Sequence, residues 1–149
     1  MTPDDWRRHL LASDEEIGAL LNRTRVVAVL GIKTADDPDQ PAFFVPEYAQ
    51  RAGLHVVPVP VYFPDVTEIL GEKVFRTVSE IPGEVDLVDV FRRPAKILTH
   101  VDDILAKRPA AVWFQSGIRH DEAAEQLARA GIDVVQDRCL MVELSARGR

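Results

Sequence analysis

The stretch Arg25-Val26-Val27-Ala28-Val29-Leu30-Gly31 is an apolar run that ends at a glycine. Four further apolar runs follow it along the chain, at 55–61, 86–91, 110–115 and 132–136. Strands whose apolar residues are continuous rather than alternating are buried on both faces, as in a parallel sheet that helices cover. The stretch therefore predicts the first of five parallel strands.

The segments between these runs have the periodicity of amphipathic helices. Phe44, Val45, Tyr48 and Ala49 form one apolar stripe, and Pro46 within it is expected in the first turn of a helix that opens near Ala42. Helices that alternate with buried strands predict a doubly wound, Rossmann-like α/β fold. We expect a five-stranded parallel sheet of order 3-2-1-4-5, with right-handed crossovers and helices on both faces.

The first residues predict a short extension ahead of this domain. Thr2-Pro3-Asp4-Asp5 has the composition of a helix start, and Ser13 with Glu16 forms a capping box. We therefore expect a helical extension over residues 1–13 and one ligand-binding domain over 14–149.

Composition restricts the partners. The 149 residues contain 18 Lys and Arg against 24 Asp and Glu, a net charge of −6, which argues against general binding to nucleic acid or to an anionic membrane. Cys139 is the single cysteine, so neither an internal disulfide framework nor a cysteine metal cluster is expected. No apolar run approaches the ~20 residues of a membrane span, and the first residues lack the layout of a signal peptide. We expect a cytoplasmic protein.

Positive charge is concentrated where the predicted strands end. In a doubly wound sheet, ligands bind beyond the carboxyl ends of the strands, at the switch point, which for the expected order lies between the first and fourth strands. Four of the five strand exits carry a cation: Lys33, Arg92 with Arg93, Arg119 and Arg138. In an acidic chain this concentration favours a phosphorylated ligand.

Two common nucleotide signatures are missing from these exits. Gly31 stands alone after the first strand, without the Gly-x-Gly-x-x-Gly pattern of dinucleotide-binding proteins, and no acid follows the second strand before Asp65. Lys33 also lacks the glycine spacing of a Walker loop. The phosphorylated ligand is therefore expected to be neither NAD nor a nucleotide held by a P-loop.

Five blocks of sequence together resemble the small stand-alone CoA-binding proteins, a family similar to the N-terminal CoA-binding domain of the succinyl-CoA synthetase α subunit. The blocks are Val-Ala-Val-Leu-Gly (27–31), Val-Pro-Val-Pro (57–60), Val-Asp-Leu-Val-Asp-Val-Phe-Arg-Arg-Pro (85–94), Val-Trp-Phe-Gln-Ser-Gly-Ile (112–118) and Asp-Arg-Cys (137–139). The resemblance extends from about Asp14 to Leu144 and implies a fold that binds coenzyme A along the carboxyl edge of its sheet.

The resemblance also implies which segments lie at the ligand. The loop after the first strand would lie beside the phosphates, and the exits of the third and fourth strands would flank the pantetheine arm. With the exit of the second strand, the expected CoA-binding residues are Gly31, Ile32, Lys33, Thr34, Ala35, Asp36, Val59, Pro60, Tyr62, Phe91, Arg92, Arg93, Pro94, Gln115, Ser116, Gly117 and Arg119.

One position departs from the family's pattern. The family usually has Val-Asn-Pro and then Arg or Lys after the second strand, whereas this chain has Val59-Pro60-Val61-Tyr62. A cation is lost where the nucleotide end of CoA would lie. Either Tyr62 stacks on the adenine, or the affinity for CoA is reduced.

Few other residues have the pattern of a reactive site. Cys139 lies beside Arg138 and is a candidate for thiol exchange with CoA, in competition with a buried structural role. His120 is the histidine expected nearest the ligand, whereas His100, beside two aspartates, is expected on a solvated helix face. No Ser-His-Asp set and no paired metal ligands emerge from the spacing.

Two functions remain open. The first is a non-catalytic module that binds CoA or an acyl-CoA. The second is an enzyme that acts on CoA or another anionic nucleotide ligand, with or without a partner subunit. Because no acid–base or nucleophile constellation accompanies Cys139, the sequence favours the first.

Overall fold

A computed structural model of the protein describes residues 5–149. Its elements in chain order are a 3-10 helix Asp5–His9, α1 Asp14–Asn22, β1 Val26–Leu30, α2 Pro41–Arg51, β2 His55–Val59, β3 Glu68–Ile69, β4 Glu72–Lys73, β5 Leu87–Val90, α3 Pro94–Lys107, β6 Ala111–Phe114, α4 Asp121–Arg129, β7 Asp133–Val135 and α5 Leu140–Ala146. Five parallel strands form one sheet, so the predicted α/β class is confirmed.

The order of the strands differs from the prediction. The sheet runs β2-β1-β5-β6-β7, which is 2-1-3-4-5 when only its own five strands are counted, so the predicted order 3-2-1-4-5 is wrong. The third sheet strand, β5, pairs directly with β1 instead of lying beyond β2. The free side of β2 meets the antiparallel hairpin β3–β4, and the chain after the hairpin donates from Phe75 N to Pro58 O at 3.0 Å. The switch point consequently lies between β1 and β5.

Helices cover both faces of the sheet, as predicted. Residues of α3 and α4 pack on one face, and residues of α1, α2 and α5 pack on the other. Alternate residues of each strand face opposite layers: Val88 and Val90 of β5 join the first cluster, whereas Leu87 joins the second. Burial on both faces explains why the strands read as continuous apolar runs.

Pro46 lies deeper in its helix than expected. Because α2 begins at Pro41, Pro46 falls in the second turn, and its missing N–H would leave the carbonyl of Ala42 without a helical donor. The backbone N–H of Lys33 donates to that carbonyl at 3.1 Å. The proline therefore frees an acceptor that ties the loop after β1 to the first turn of α2.

The N-terminal segment covers the other edge of the sheet. The helix start expected at 2–4 lies outside the described residues, and the 3-10 helix Asp5–His9 leads into the bridge of Leu10 with Val134. Leu11 N donates to Val134 O at 2.8 Å, which extends the parallel pairing by one short step. No helix within residues 5–149 combines the length and the apolar character that a membrane span requires.

One carboxyl group is buried at the centre of the sheet. Asp89 of β5 lies in register with Val29 of β1 and Trp113 of β6, and it is 0% exposed. Neither of its carboxyl oxygens has a hydrogen-bond partner among the described residues. Burial raises the pKa of Asp89 well above the usual value near 3.8, because the charged form would lose its hydration.

This burial predicts how stability depends on pH. The folded state keeps the proton of Asp89 while the unfolded state loses it above its pKa near 3.8, so folding stability falls as pH rises from there toward the raised folded pKa. Asp89→Asn carries no titrating group at this position. We expect its advantage over the wild-type protein, measured by urea unfolding, to grow with pH across that interval.

Asp86 provides the matched control on the same strand segment. One of its oxygens accepts from the backbone N–H groups of Arg25 and Val26 at 2.9 and 2.8 Å, so Asp86→Asn weakens an existing contact and should lower stability. An unchanged difference between Asp89→Asn and wild type at acid and at neutral pH would contradict the prediction.

Candidate functional site

The site begins where the exits of β1 and β5 meet. Gly31 directly follows β1 with φ of +88°, and a Cβ at this position would lie 2.3 Å from the carbonyl oxygen of Phe91. Only glycine permits this approach. From here the chain after β1 reaches α2 on one face of the sheet, whereas the chain after β5 reaches α3 on the other. The divergence opens a crevice at the switch point.

A cavity of about 660 Å³ lies at this edge. The first turn of α2 forms one wall, and the exits of β5 and β6 with the start of α5 form the rest. Its lining consists of Gln40, Pro41, Ala42, Phe44, Val45, Phe91, Arg92, Arg93, Pro94, Gln115, Ser116, Gly117, Ile118, Cys139 and Met141. The volume falls in the range of small-molecule and cofactor sites.

The electrostatics of this cavity are opposite to those of the chain as a whole. Among the described residues that line it, two are arginines and none is Asp or Glu. A second cavity, beside the hairpin, contains Asp36, Glu47 and Glu68 in its lining. The cavity between α2 and the strand exits is therefore suited to a ligand with negative charge and an apolar body.

The two longer helices that begin at this cavity support the same conclusion. Neither N-cap residue, Gln40 for α2 or Arg93 for α3, makes a side-chain hydrogen bond to its helix, and neither helix has an acid in its first turn. By contrast α1 is capped by Ser13 and α4 by His120, and both have acidic first turns. The first turns of α2 and α3, where the helix dipole is positive, thus contain no carboxylate of their own.

Gln115 contributes a polar group to the inner wall. It is only 3% exposed, and its Oε1 accepts from the backbone N–H of Leu140, at the start of α5, at 3.0 Å. Because the backbone N–H of Leu140 requires an acceptor, the amide oxygen of Gln115 is the atom that faces it, and the NH2 group is the end without this bond. Within residues 5–149 no acceptor meets this nitrogen, so it is left as a donor for a ligand.

Arg92 connects the cavity to a second group of side chains. Its Nε donates to Nε2 of His100 at 3.1 Å, and its NH1 lies 3.5 Å from the hydroxyl of Tyr62. Burial and the Arg92 charge lower the pKa of His100, and the hydrogen bond from Arg92 lowers the pKa of the Tyr62 phenol. Tyr62 itself is 58% exposed, so its ring is accessible at the rim.

The structure places His100, and not His120, against a residue of the cavity lining. His100 is half-buried against Arg92, so the expected solvated helix face is wrong for this residue. His120 uses its Nδ1 to accept from the backbone N–H of Ala123 at 3.1 Å, which caps α4. Sequence spacing failed here because the partner of His100 comes from a neighbouring strand exit and not from its own helix.

Cys139 lies at the N-cap of α5 and lines the cavity beside Met141. The guanidinium of Arg138 is directed elsewhere: it donates to Ala12 O at 2.9 Å and lies 3.7 Å from a carboxylate oxygen of Glu143. Arg138, next to Cys139 in the chain, thus contacts the N-terminal segment and α5.

The structure brings together seven of the residues expected at the ligand. Those in the cavity lining are Phe91, Arg92, Arg93, Pro94, Gln115, Ser116 and Gly117. Tyr62 and Gly31 lie next to Arg92 and Phe91 respectively, without lining the cavity. The expected residues that line this cavity therefore come from the exits of the third and fourth sheet strands.

The remaining expected residues lie elsewhere. Thr34, Ala35 and Asp36 line the cavity beside the hairpin, and Arg119 forms an ion pair with Asp121 at 3.2 Å. The others outside the lining are Ile32, Val59 and Pro60, which are buried, and Lys33. Seven residues of the lining were not expected from the sequence: Gln40, Pro41, Ala42, Phe44, Val45, Ile118 and Met141. Pro41, at the first position of a helix without a side-chain cap, is the sequence signal that could have indicated the α2 wall.

Comparison with known proteins identifies the family. The sequence profile of the CoA binding domain matches residues 25–145. The chain belongs to the CoA-binding domain family. The predicted resemblance is therefore confirmed.

Relatives of this CoA-binding domain extend over nearly its whole length. It is 33% identical over 130 residues to the uncharacterized protein YneT of Bacillus subtilis (strain 168), covering 87% of this chain and 93% of YneT. The structure of cell-free ID.343 from Thermus thermophilus superposes with a TM-score of 0.82 at 42% identity, covering 91% of this chain and 98% of that one. A hypothetical protein from Pyrococcus horikoshii OT3 has a TM-score of 0.80 at 30% identity, with 91% and 92% coverage.

The contact at Gly31 predicts the effect of adding one methyl group. Gly31→Ala should destabilise the CoA-binding domain beyond the ~1–2 kcal/mol that a left-handed backbone costs an ordinary residue, because the new Cβ also meets Phe91 O. Gly53→Ala is the matched control, with φ of +98° and no atom within 4 Å of its Cβ. Thermal unfolding should show a larger loss for Gly31→Ala, and equal losses would contradict the close approach.

Proposed function

We propose that this protein binds coenzyme A or an acyl-CoA without catalysing its reaction, and that the ligand lies in the cavity at the carboxyl edge of the sheet. The observation that carries the proposal is the cavity's composition. In a chain of net charge −6, its lining has two arginines and apolar side chains, with no carboxylate among the described residues.

The chemistry of CoA fits these features. Its phosphates carry several negative charges, which Arg92, Arg93 and the starts of α2 and α3 can stabilise. The pantetheine arm is long and mostly apolar with amide groups, which suits the aromatic and aliphatic walls and the free amide of Gln115. NAD fits less well, because β2 ends at Val59 and is followed by Pro60, without an acid to bind a ribose.

The proposal that the protein binds its ligand without catalysis also rests on which residues line the cavity. Among its described residues the cavity has no histidine and no carboxylate, so Ser116 and Cys139 have no general base beside them there. This supports a binding protein over an enzyme that acts on CoA. Because CoA is used inside cells, the proposal includes a cytoplasmic location.

Thermal unfolding tests the ligand. A compound present at about 100 times its dissociation constant stabilises the folded state by about 2.7 kcal/mol. We expect CoA or acetyl-CoA to raise the melting temperature and NAD to leave it unchanged. Stabilisation by NAD and not by CoA would overturn the proposal.

Charge variants of the same protein locate the phosphates. Arg93→Ala should weaken CoA binding and reduce its salt dependence, because a charge-assisted contact is lost. Arg51→Ala is the matched control, since Arg51 is exposed at the far end of α2 and pairs only loosely with Glu47, at 3.6 Å. Lys33→Ala tests the loop after β1, which we also predict to contact phosphate. Affinity unchanged in Arg92→Ala, Arg93→Ala and Lys33→Ala would place the phosphates elsewhere.

Cys139 reports where the thiol end of the ligand lies. If the pantetheine arm occupies the cavity, the Cys139 thiolate can attack CoA disulfide: its sulfur–sulfur bond breaks, a mixed disulfide forms, and one CoA leaves as thiolate. We expect intact-protein mass spectrometry to show one CoA adduct that a reducing agent removes. Cys139→Ser should show none, because the chain has one cysteine. Absence of the adduct in the wild-type protein would contradict this placement.

A further inference from the structure

Arg92 makes a contact that requires a particular protonation state of its partner. Its guanidinium has only donors, so Nε2 of His100, 3.1 Å from Arg92 Nε, must accept with a lone pair. An imidazole that accepts there is neutral and carries its proton on Nδ1. The cation at the cavity rim is therefore held by a neutral histidine.

The charges around His100 favour this neutral form in the unliganded protein. Arg92 on the β5 exit is the cation that faces the imidazole, and Arg93 and Lys96 add positive charge around the neighbouring Tyr62 phenol. The opposing carboxylate, Asp103 on the same helix, accepts from the backbone N–H groups at 78 and 79, at 2.7 and 3.0 Å. Burial and Arg92 together lower the pKa of His100.

We propose that binding of a phosphate group at Arg92 is coupled to uptake of one proton by His100, so that the ligand binds more tightly as pH falls. This inference rests on the proposed function, because it assumes that CoA phosphates reach Arg92. A phosphate oxygen replaces the imidazole as the acceptor of the Arg92 Nε–H. Nε2 of His100 then takes a proton from solvent, and the imidazolium becomes a further cation beside the anion.

The sign of the effect follows from linkage. A nearby anion favours the charged form of the imidazole, so the complex holds more protons than the separate molecules. By reciprocity, protons favour the complex. Because one group is involved, the association constant can rise at most about tenfold for each pH unit of acidification.

Dephospho-CoA is the appropriate probe. It keeps the pyrophosphate and the pantetheine arm but lacks the 3′-phosphate, a monoester whose second ionisation near pH ~6 would add protons of its own. Calorimetry at about pH 6 and about pH 8, in two buffers of different ionisation enthalpy, measures both affinity and protons taken up. We expect tighter binding and net proton uptake on the acid side.

His100→Gln separates this role from a structural one. The Gln amide oxygen can still accept from Arg92, so binding should persist. Because the amide does not titrate, the proton uptake and the pH dependence of affinity should be lost. His55→Gln is the matched control, because His55 starts β2 at the opposite end of the sheet and lies 3.3 Å from Glu72. It should retain the wild-type proton uptake.

The outcomes are distinguishable. If the wild-type protein binds neither dephospho-CoA nor CoA at any pH, the proposed function fails. If it binds with no proton uptake, or if His100→Gln takes up as many protons as wild type, the proposed function stands and the coupling to His100 is wrong.

Discussion

The close approach of Gly31 to Phe91 is the constraint on which the site depends. Because a Cβ at Gly31 would overlap the Phe91 carbonyl, β1 and β5 can end side by side only with glycine at this position. The chains leaving these adjacent strands then go to helices on opposite faces of the sheet. The cavity is the space that this divergence leaves, and its walls are the first turn of α2, the exits of β5 and β6 and the start of α5.

The distribution of carboxylates turns this space into an anion-compatible site. The first turns of α1 and α4, both side-chain capped helices, contain acids, which interact favourably there with the helix dipoles. Others are in ion pairs, such as Asp133 with Arg23. The first turns of α2 and α3 have none. An acidic protein can therefore present a locally positive edge without an excess of basic residues.

Arg92 contributes both to the packing of the strand exits and to the charge of the cavity lining. Its aliphatic stem passes within 3.4 Å of the position that a Cβ of Gly31 would take, and its guanidinium contacts His100 and Tyr62. Those contacts hold the Arg92 guanidinium at the rim of a cavity whose described lining contains no carboxylate. The neutral acceptor that His100 offers to Arg92 is a weaker partner for a guanidinium than a carboxylate would be.

Local sequence determined the five strands of the sheet, the helices between them and the edge at which the cations of the strand exits gather. Continuous apolar runs such as 25–30 mark strands buried on both faces, and the cations at 92 and 93 follow such a strand directly. The order of the strands could not be predicted in this way, because five similarly buried strands contain no local signal of which strands they pair with. The hairpin beside β2 also gave no clear sequence pattern, since each of its strands has only two residues. The cavity lining and the Arg92–His100 pair likewise depend on which helices and strand exits become neighbours in space. Only the tertiary structure decided them, since those contacts join segments whose spacing along the chain has no relation to their distance in the fold.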